Sequence, residues 1–497
     1  LTRDLFVLEV KLFLFLNDFG NKNNLTSKIL KNKLNMEQQM DVRKEFEIVF
    51  SEFLKEYPGY VNQTLDEIRK TEFPSLNGVY ADWTGAGLPA NSLLEKHLRF
   101  LQRNTLGNPH SHHHPSTKTM EKIMQTRKAI LSFLNASPEE YEVIFTTGAT
   151  GAILILQHYM FAGGELLLTE DNHNSVNGLR EIAKRKGATV RYAPITDKLQ
   201  IDEEVLQKRL SYPRSWNGNK LFCYPAKSNY TGNIHSFEWV NKAQEAGWDV
   251  LLDTAAYLSN DRLDLSKVKP DFVPISFYKL FGYPTGIGCL VIKKEKYKKL
   301  DKSWFSGGSI LLVSVMLDFF IEESIGYARF EDGTTNFSGI PAIYNGLEFL
   351  EGLGSYKERV TSIASWLHNA LSEMRTESSS VVVHNSKGND TVVFNIEKDG
   401  QIMDASVFEQ AASRAGIYVR SGCFCNPGIN EKLFGYSVKG YEEFYNSEIM
   451  PYQITLDHFK ENSGKPVGAL RASFGYVNNF RDVYKFAEFT KKYLASL

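Results

Sequence analysis

The chain has 497 residues, of which 42% are hydrophobic, 23% charged and 13% aromatic. That profile excludes a disordered or fibrous chain, and at roughly 150 residues per domain it supplies two or three domains. Lys+Arg 57 against Asp+Glu 58 leaves a net charge of −1, which argues against a nucleic-acid partner held by a whole-molecule field.

Cys223, Cys289, Cys423 and Cys425 are the four cysteines, too few for a disulfide scaffold and suited to a reducing, cytoplasmic setting. Near the start, Leu5–Leu16 is apolar but contains Glu9 and Lys11. It is far shorter than the roughly 20 residues a spanning helix needs, so no membrane partner is expected. Residues 1–35 read as a dispensable or mis-called extension before Met36, with a real N-terminal helix as the alternative. An amphipathic stretch from Val42 to Leu54 follows.

Short apolar strands then alternate with helical patterns. Strands are predicted at Val143–Phe145, Glu165–Thr169, Thr189–Tyr192, Lys220–Tyr224, Trp248–Leu252, Phe272–Ser276 and Gly288–Ile292. Helices are predicted from about Gly151, over Leu179–Arg185 and over Trp239–Ala246. This rhythm predicts an α/β fold with a mostly parallel seven-stranded sheet, whose ligands sit beyond the carboxyl ends of its strands. Helices near Ala342–Glu351 and Tyr356–Met374, with strands at Val381–Val383, Asp390–Ile396 and Leu470–Phe474, predict a smaller α+β domain. The expected division is 36–105 as an N-terminal segment of the small domain, 106–325 as the large domain and 326–497 as the C-terminal small domain.

Lys279 follows a strand and precedes a Gly/Pro turn, which places an amine at the active edge of the sheet. A lysine there can form a Schiff base with an aldehyde cofactor such as pyridoxal phosphate (PLP), or be a plain surface lysine. Asp253, also after a strand, can keep a pyridine nitrogen protonated, or cap a helix. Thr146–Gly151 (TTGATG) is a candidate phosphate cradle without the Walker lysine or a G-x-G-x-x-G fingerprint. His173 can stack on a flat ring or cap the next helix. Arg420-Ser421-Gly422-Cys423-Phe424-Cys425 sets two thiols beside a guanidinium, which favours thiolate; a metal-binding C-x-C or inert thiols are the alternatives. Arg471, inside an apolar strand pattern, reads as a carboxylate clamp or a structural ion pair. The His110, His112, His113 and His114 cluster reads as a polar loop lining the site in preference to a metal site. Lys293–Lys302 reads as a solvated helix in preference to a basic patch.

Together these motifs resemble the class V aminotransferase superfamily of PLP enzymes, fold type I. More narrowly, they resemble the cysteine desulfurase-like domain of the molybdenum cofactor sulfurase family. The resemblance covers about Tyr80 to Val477. It rests on Tyr80–Pro89 (YADWTGAGLP), Gly107–Ser111 (GNPHS), Phe222–Asn229 (FCYPAKSN), Ser276–Lys279 (SFYK) with Gly282–Gly286 (GYPTG), and Arg420–Gly428 (RSGCFCNPG). It implies Lys279 as the Schiff-base lysine, Asp253 as the ring-nitrogen partner and His173 as the stacking imidazole. Thr147, Gly148, Ala149 and Ser276 would hold the phosphate, and Asn229 the ring oxygen. Thr334, in Gly333–Asn336 (GTTN), would complete the neighbouring subunit's phosphate site in a homodimer. Arg471, with Arg420, would bind the substrate carboxylate. Cys425, five residues after Arg420, matches the persulfide-forming cysteine, and Cys423 does not fit that spacing. The implied activity moves sulfur from L-cysteine to Cys425 and on to an acceptor, molybdenum cofactor or a protein carrying it. The large C-terminal domain of full-length eukaryotic members is not expected within these residues. Ala256 and Tyr278 stand where ordinary desulfurases often have Gln and His, which suits the molybdenum-cofactor branch. The rivals are another class V lyase with a different acceptor, which would not need Cys425, and a non-enzymatic metal or redox carrier.

Overall fold

The computed structural model describes residues 43–60, 63–214, 218–322, 326–445 and 455–497. It separates into two compact units, Leu1–Val61 and Asn62–Leu497. The extension expected at 1–35 lies outside the described residues. In the first unit the amphipathic stretch forms a helix over residues 43–56, and Phe53 packs edge-on to Tyr60 at 4.9 Å. No helix among the described residues is long and apolar enough to cross a membrane.

The second unit is built on a seven-stranded sheet. Its strands are β1 (Tyr141–Thr146), β2 (Glu165–Thr169), β3 (Thr189–Ala193), β4 (Lys220–Pro225), β5 (Asp249–Asp253), β6 (Phe272–Ser276) and β7 (Gly288–Lys293). They lie in the order β3-β2-β4-β5-β6-β7-β1, all parallel except β7. Every residue of β2, β5 and β6 is buried, because helices cover both faces and the strands need no polar side. Leu166, Leu168, Leu221, Leu251, Phe272 and Leu290 form the core of one face. Pro274 gives β6 no donor at its centre, and the carbonyl of Pro274 accepts the hydroxyl of Thr254 instead.

An antiparallel hairpin follows, β8 (Ile310–Ser314) and β9 (Phe319–Glu322). The sequence reading did not contain it. Its apolar residues are exposed, with Val315, Met316 and Leu317 at the tip. A five-stranded antiparallel sheet comes next: β10 (Ser379–Val383), β11 (Thr391–Lys398), β12 (Arg420–Gly422) and β13 (Ala469–Ser473), in the order β10-β11-β13-β12, with the two-residue strand Gln401–Ile402 also paired to β11. Val79–Tyr80 pairs parallel with Ile417–Tyr418 beside it.

The Lys293–Lys302 run departs from expectation. It contains a short 3-10 helix, Lys294–Lys299, but Lys296 and Lys299 both bind Asp249, and Lys302 is buried against the Arg329 carbonyl. Buried carboxylates at the foot of the sheet draw these ammonium groups inward, so the run is only partly solvated.

Candidate active site

The carboxyl ends of β1, β4, β5 and β6 open into one cavity of about 180 Å³. Thr147, Gly148, Ala149, His173, Asn229, Asp253, Ser276 and Lys279 all line it. The strand-end rule for open α/β sheets therefore brings together residues that are up to 132 positions apart in sequence, as Thr147 and Lys279 are.

Each wall has a local cause. After β1 the chain turns at Gly148, whose φ of +91° disfavours any L side chain, and enters the helix Ala149–Leu154. A Cβ on Gly148 would meet nothing within 4 Å, so the backbone there is open to a ligand. Unpaired N–H groups at such a turn suit a phosphate. Ser276 ends β6, buried, and the helix Phe277–Phe281 then carries Lys279. That helix stops at Gly282, φ +77°, where a Cβ would collide with Leu88.

Lys279 is half-buried in the cavity wall and makes no hydrogen bond or ion pair among the described residues. Burial pushes its pKa below the ordinary lysine value, helped by Arg471 and Arg420 and opposed by Asp253. A depressed lysine is available as a neutral amine. Asp253 is buried and its Oδ1 accepts from the N–H of Ala255 at 3.0 Å, so it acts as a local cap and also faces the cavity. His173 likewise caps the next helix and lines the cavity. Its Nδ1 accepts from the N–H of Ser175 at 3.0 Å, which caps the helix Asn174–Asn177 and fixes the ring. Burial lowers its pKa, against the pull of Asp253, so the ring is neutral with its proton on Nε2.

The cysteine loop is tied to this wall. Cys425 O accepts from the N–H of Asn174 at 2.7 Å, directly after His173. Asn229 Nδ2 donates to Phe424 O at 2.7 Å, and Asn426 Nδ2 donates to Asn229 Oδ1 at 3.1 Å. One N–H of Asn229 thus remains for a ligand. Both Cys423 and Cys425 are exposed. The Cys423 thiol lies near Tyr230, Tyr436 and Tyr441 and helps raise their pKa values.

Arg420, Cys425, Arg471 and Thr334 do not line the cavity. Arg420 and Arg471 pair across β12 and β13, close enough to Lys279 to act on its charge. Arg471 Nη2 donates to Asp82 Oδ1 and Nη1 to Asn229 O, both at 2.8 Å. Thr334 lines a second cavity of about 460 Å³ that shares Thr147 and Gly286 with the first. None of the four clustered histidines lines either cavity, and no group of three metal-binding side chains occurs among the described residues.

Sequence reasoning missed Lys227. It is buried in the cavity wall, with Nζ 2.6 Å from Asp390 Oδ2. The signal was weak: a lysine just after a buried strand, with no partner nearby in sequence.

The profile of the family Aminotransferase class-V matches residues 79–486. The chain belongs to the class-V aminotransferase family. Within it, the chain is 35% identical over 485 residues to molybdenum cofactor sulfurase of Solanum lycopersicum, covering 88% of this chain and 59% of that protein. To molybdenum cofactor sulfurase of Homo sapiens it is 33% identical over 463 residues, covering 87% of this chain and 51% of that protein. The chain thus spans between half and three fifths of the length of these curated relatives. Its fold matches a cysteine desulfurase from Thermococcus onnurineus NA1 with a TM-score of 0.70 at 21% identity, over 87% of this chain and 98% of that one. The class V fold expected from the motifs is therefore the fold observed. An amine poised for covalent attachment, a carboxylate at a strand end, a fixed imidazole face and an open backbone cradle fit a phosphorylated pyridine aldehyde.

Proposed function

We propose that this member of the class V family is a PLP-dependent sulfurtransferase. It takes sulfur from L-cysteine as a persulfide on Cys425 and passes it to molybdenum cofactor or a protein carrying it. The observation that carries the reading is the 2.7 Å bond from Asn174 N–H to Cys425 O, which ties a thiol-bearing loop to the chain directly after His173, a wall residue of the cavity of Lys279 and Asp253. The name of the curated relatives supports the acceptor, and the cysteine desulfurase whose fold the chain shares supports the substrate.

PLP, when bound, supplies an electron-withdrawing ring that labilises bonds at the substrate Cα and Cβ. Thr147, Gly148, Ala149 and Ser276 would hold its phosphate. Asp253 would keep a proton on the ring nitrogen, and His173 would present a flat neutral face to the ring. Lys279, its pKa depressed by burial, is the base that moves the α-proton and returns a proton to the product. Arg471, with Arg420, orients the substrate carboxylate. The Cys425 thiolate takes the substrate sulfur: one S–S bond forms, one C–S bond breaks, and alanine leaves. The products, alanine and a persulfide, balance cysteine and a thiol without an external oxidant.

A homodimer belongs to this reading. Thr334 lines the neighbouring cavity and not that of Lys279, and the exposed apolar tip of the β8–β9 hairpin is a surface that a second copy would bury. Four unbridged cysteines, two of them exposed, support a cytoplasmic setting. The test is alanine formation from L-cysteine by the purified protein with and without added PLP. PLP-dependent alanine with sulfur retained on protein is expected. Pyruvate, ammonia and sulfide in place of alanine, undiminished in C425S, would favour a lyase.

A further inference from the structure

Arg471, Asn229 and Phe424 meet where the cysteine loop touches the cavity wall. The Arg471 guanidinium carbon lies 4.6 Å from the centre of the Phe424 ring. Arg471 is buried, and its Nε has no hydrogen-bond partner among the described residues. A buried guanidinium N–H without an acceptor is costly and marks the place of a missing one, best supplied by a carboxylate.

Phe424 is also buried, edge-on to Tyr230 at 4.8 Å. Phe424 and Cys425 have φ of +52° and +55°, consecutive left-handed positions without glycine. Asn426 N–H donates to Cys423 O at 2.9 Å and closes a tight turn over them. Such a turn keeps its shape only where its surroundings hold it. Here the hold is the Phe424 ring between Arg471 and Tyr230, together with the bonds of Asn229 and Asn174 to the Phe424 and Cys425 carbonyls.

We propose that Phe424 is a positioning residue: its ring, lying across Arg471, couples a carboxylate held by Arg471 to the placement of the adjoining Cys425 thiol. A carboxylate at Nε fixes the guanidinium plane. The ring in contact with that guanidinium is fixed with it, and so is the residue bonded to the ring's backbone. The loop then presents its thiol when a carboxylate-bearing substrate is in place. This inference rests on the sulfur-transfer reading for its purpose but not for its geometry.

The experiment is iodoacetamide labelling of Cys425, read by peptide mass mapping, on the full PLP-loaded chain. The probes are L-alanine, which has the carboxylate and amine but no thiol, and L-alaninamide, which lacks the carboxylate. In the wild type, L-alanine changes the Cys425 labelling rate severalfold and leaves Cys423 unchanged, while alaninamide does neither. Phe424→Ala loses the response although alanine still shifts the cofactor's absorbance, and Phe424→Tyr keeps it. Turnover in Phe424→Ala falls roughly tenfold or more, with a much smaller change in KM. Phe424→Leu, an apolar filler without the ring's face, serves if the alanine variant unfolds. A response that survives in both ring-less variants, is absent from the wild type, or is reproduced by alaninamide overturns the coupling. So does loss of the absorbance shift in both ring-less variants, which would make Phe424 part of the binding site alone. If wild-type Cys425 gains no sulfur from L-cysteine yet the alanine response still follows the ring, the sulfur-transfer reading fails and the coupling stands.

Discussion

Arg471 Nη2 donates to Asp82 Oδ1 at 2.8 Å, so the arginine assigned to the substrate carboxylate already holds a carboxylate of the protein. Arg471 is 2% exposed, and Asp82 offsets its buried charge. Asp82→Ala should cost about 2–3 kcal/mol by leaving the guanidinium unpaired. L-alanine should then raise the melting temperature of Asp82→Ala more than that of the wild type, because an added carboxylate replaces the missing one. Equal shifts in thermal denaturation would show that substrate does not reach Arg471.

Lys227 and Asp390 form the second buried ion pair of the site, 2.6 Å apart. Desolvation raises the Asp390 pKa, but the charge of Lys227 and the hydrogen bonds from Lys227, Asn260 and Thr391 together outweigh it, and the carboxyl stays below its ordinary value. Lys227→Met should lower stability by about 3–5 kcal/mol, since it strands a buried carboxylate. Lys227→Met with Asp390→Asn should recover most of that loss in urea denaturation. Additive losses would show that the two residues act separately.

The two exposed thiols should separate cleanly. Cys425→Ser should abolish sulfur capture and leave the PLP absorbance intact, whereas Cys423→Ser should retain both. The Cys425 carbonyl is bonded at the cavity wall, while the Cys423 thiol lies by Tyr230 and Tyr436. Intact mass after incubation with L-cysteine reads the result, and the reverse pattern would reassign the thiol.

His158 gives a pH prediction. Its pKa is lowered from 6.5 to about 4, first by burial and then by Lys302 and Lys186. The unfolded state therefore takes up a proton below 6.5 that the folded state refuses. The stability from neutral burial is full above 6.5 and is lost progressively as pH falls towards about 4. Replacing His158 with Gln should flatten the slope of melting temperature against pH in that window. An unchanged slope would place the titration elsewhere.

Much of this was legible in the sequence because both periodicities were intact. Strands at Glu165–Thr169 and Phe272–Ser276 lie where the apolar runs put them, since buried parallel strands carry no polar face to blur their ends. The residues at those ends were legible for the same reason: Asp253, Lys279 and His173 each follow a strand. What escaped depended on partners far away in the chain. Arg420–Gly422 carries no apolar pattern of its own, yet it is a strand, held by pairing with Ala469–Ser473. Lys227 finds its carboxylate 163 residues on, and Arg471 finds Asp82 389 residues back, so neither ion pair had a local signature. The β8–β9 hairpin was missed because apolar residues crowd both of its faces and leave no alternation to read.

The central claim is that the cavity of Lys279 and Asp253 delivers cysteine sulfur to Cys425. The most direct measurement is peptide mass mapping of the PLP-loaded protein after a short exposure to L-cysteine, alongside Lys279→Ala. One extra sulfur atom on the Cys425 peptide of the wild type, and none on that of Lys279→Ala, is the predicted result. Sulfur on Cys425 in both proteins, or an unmodified Cys425 in a wild type that is forming alanine, would contradict it.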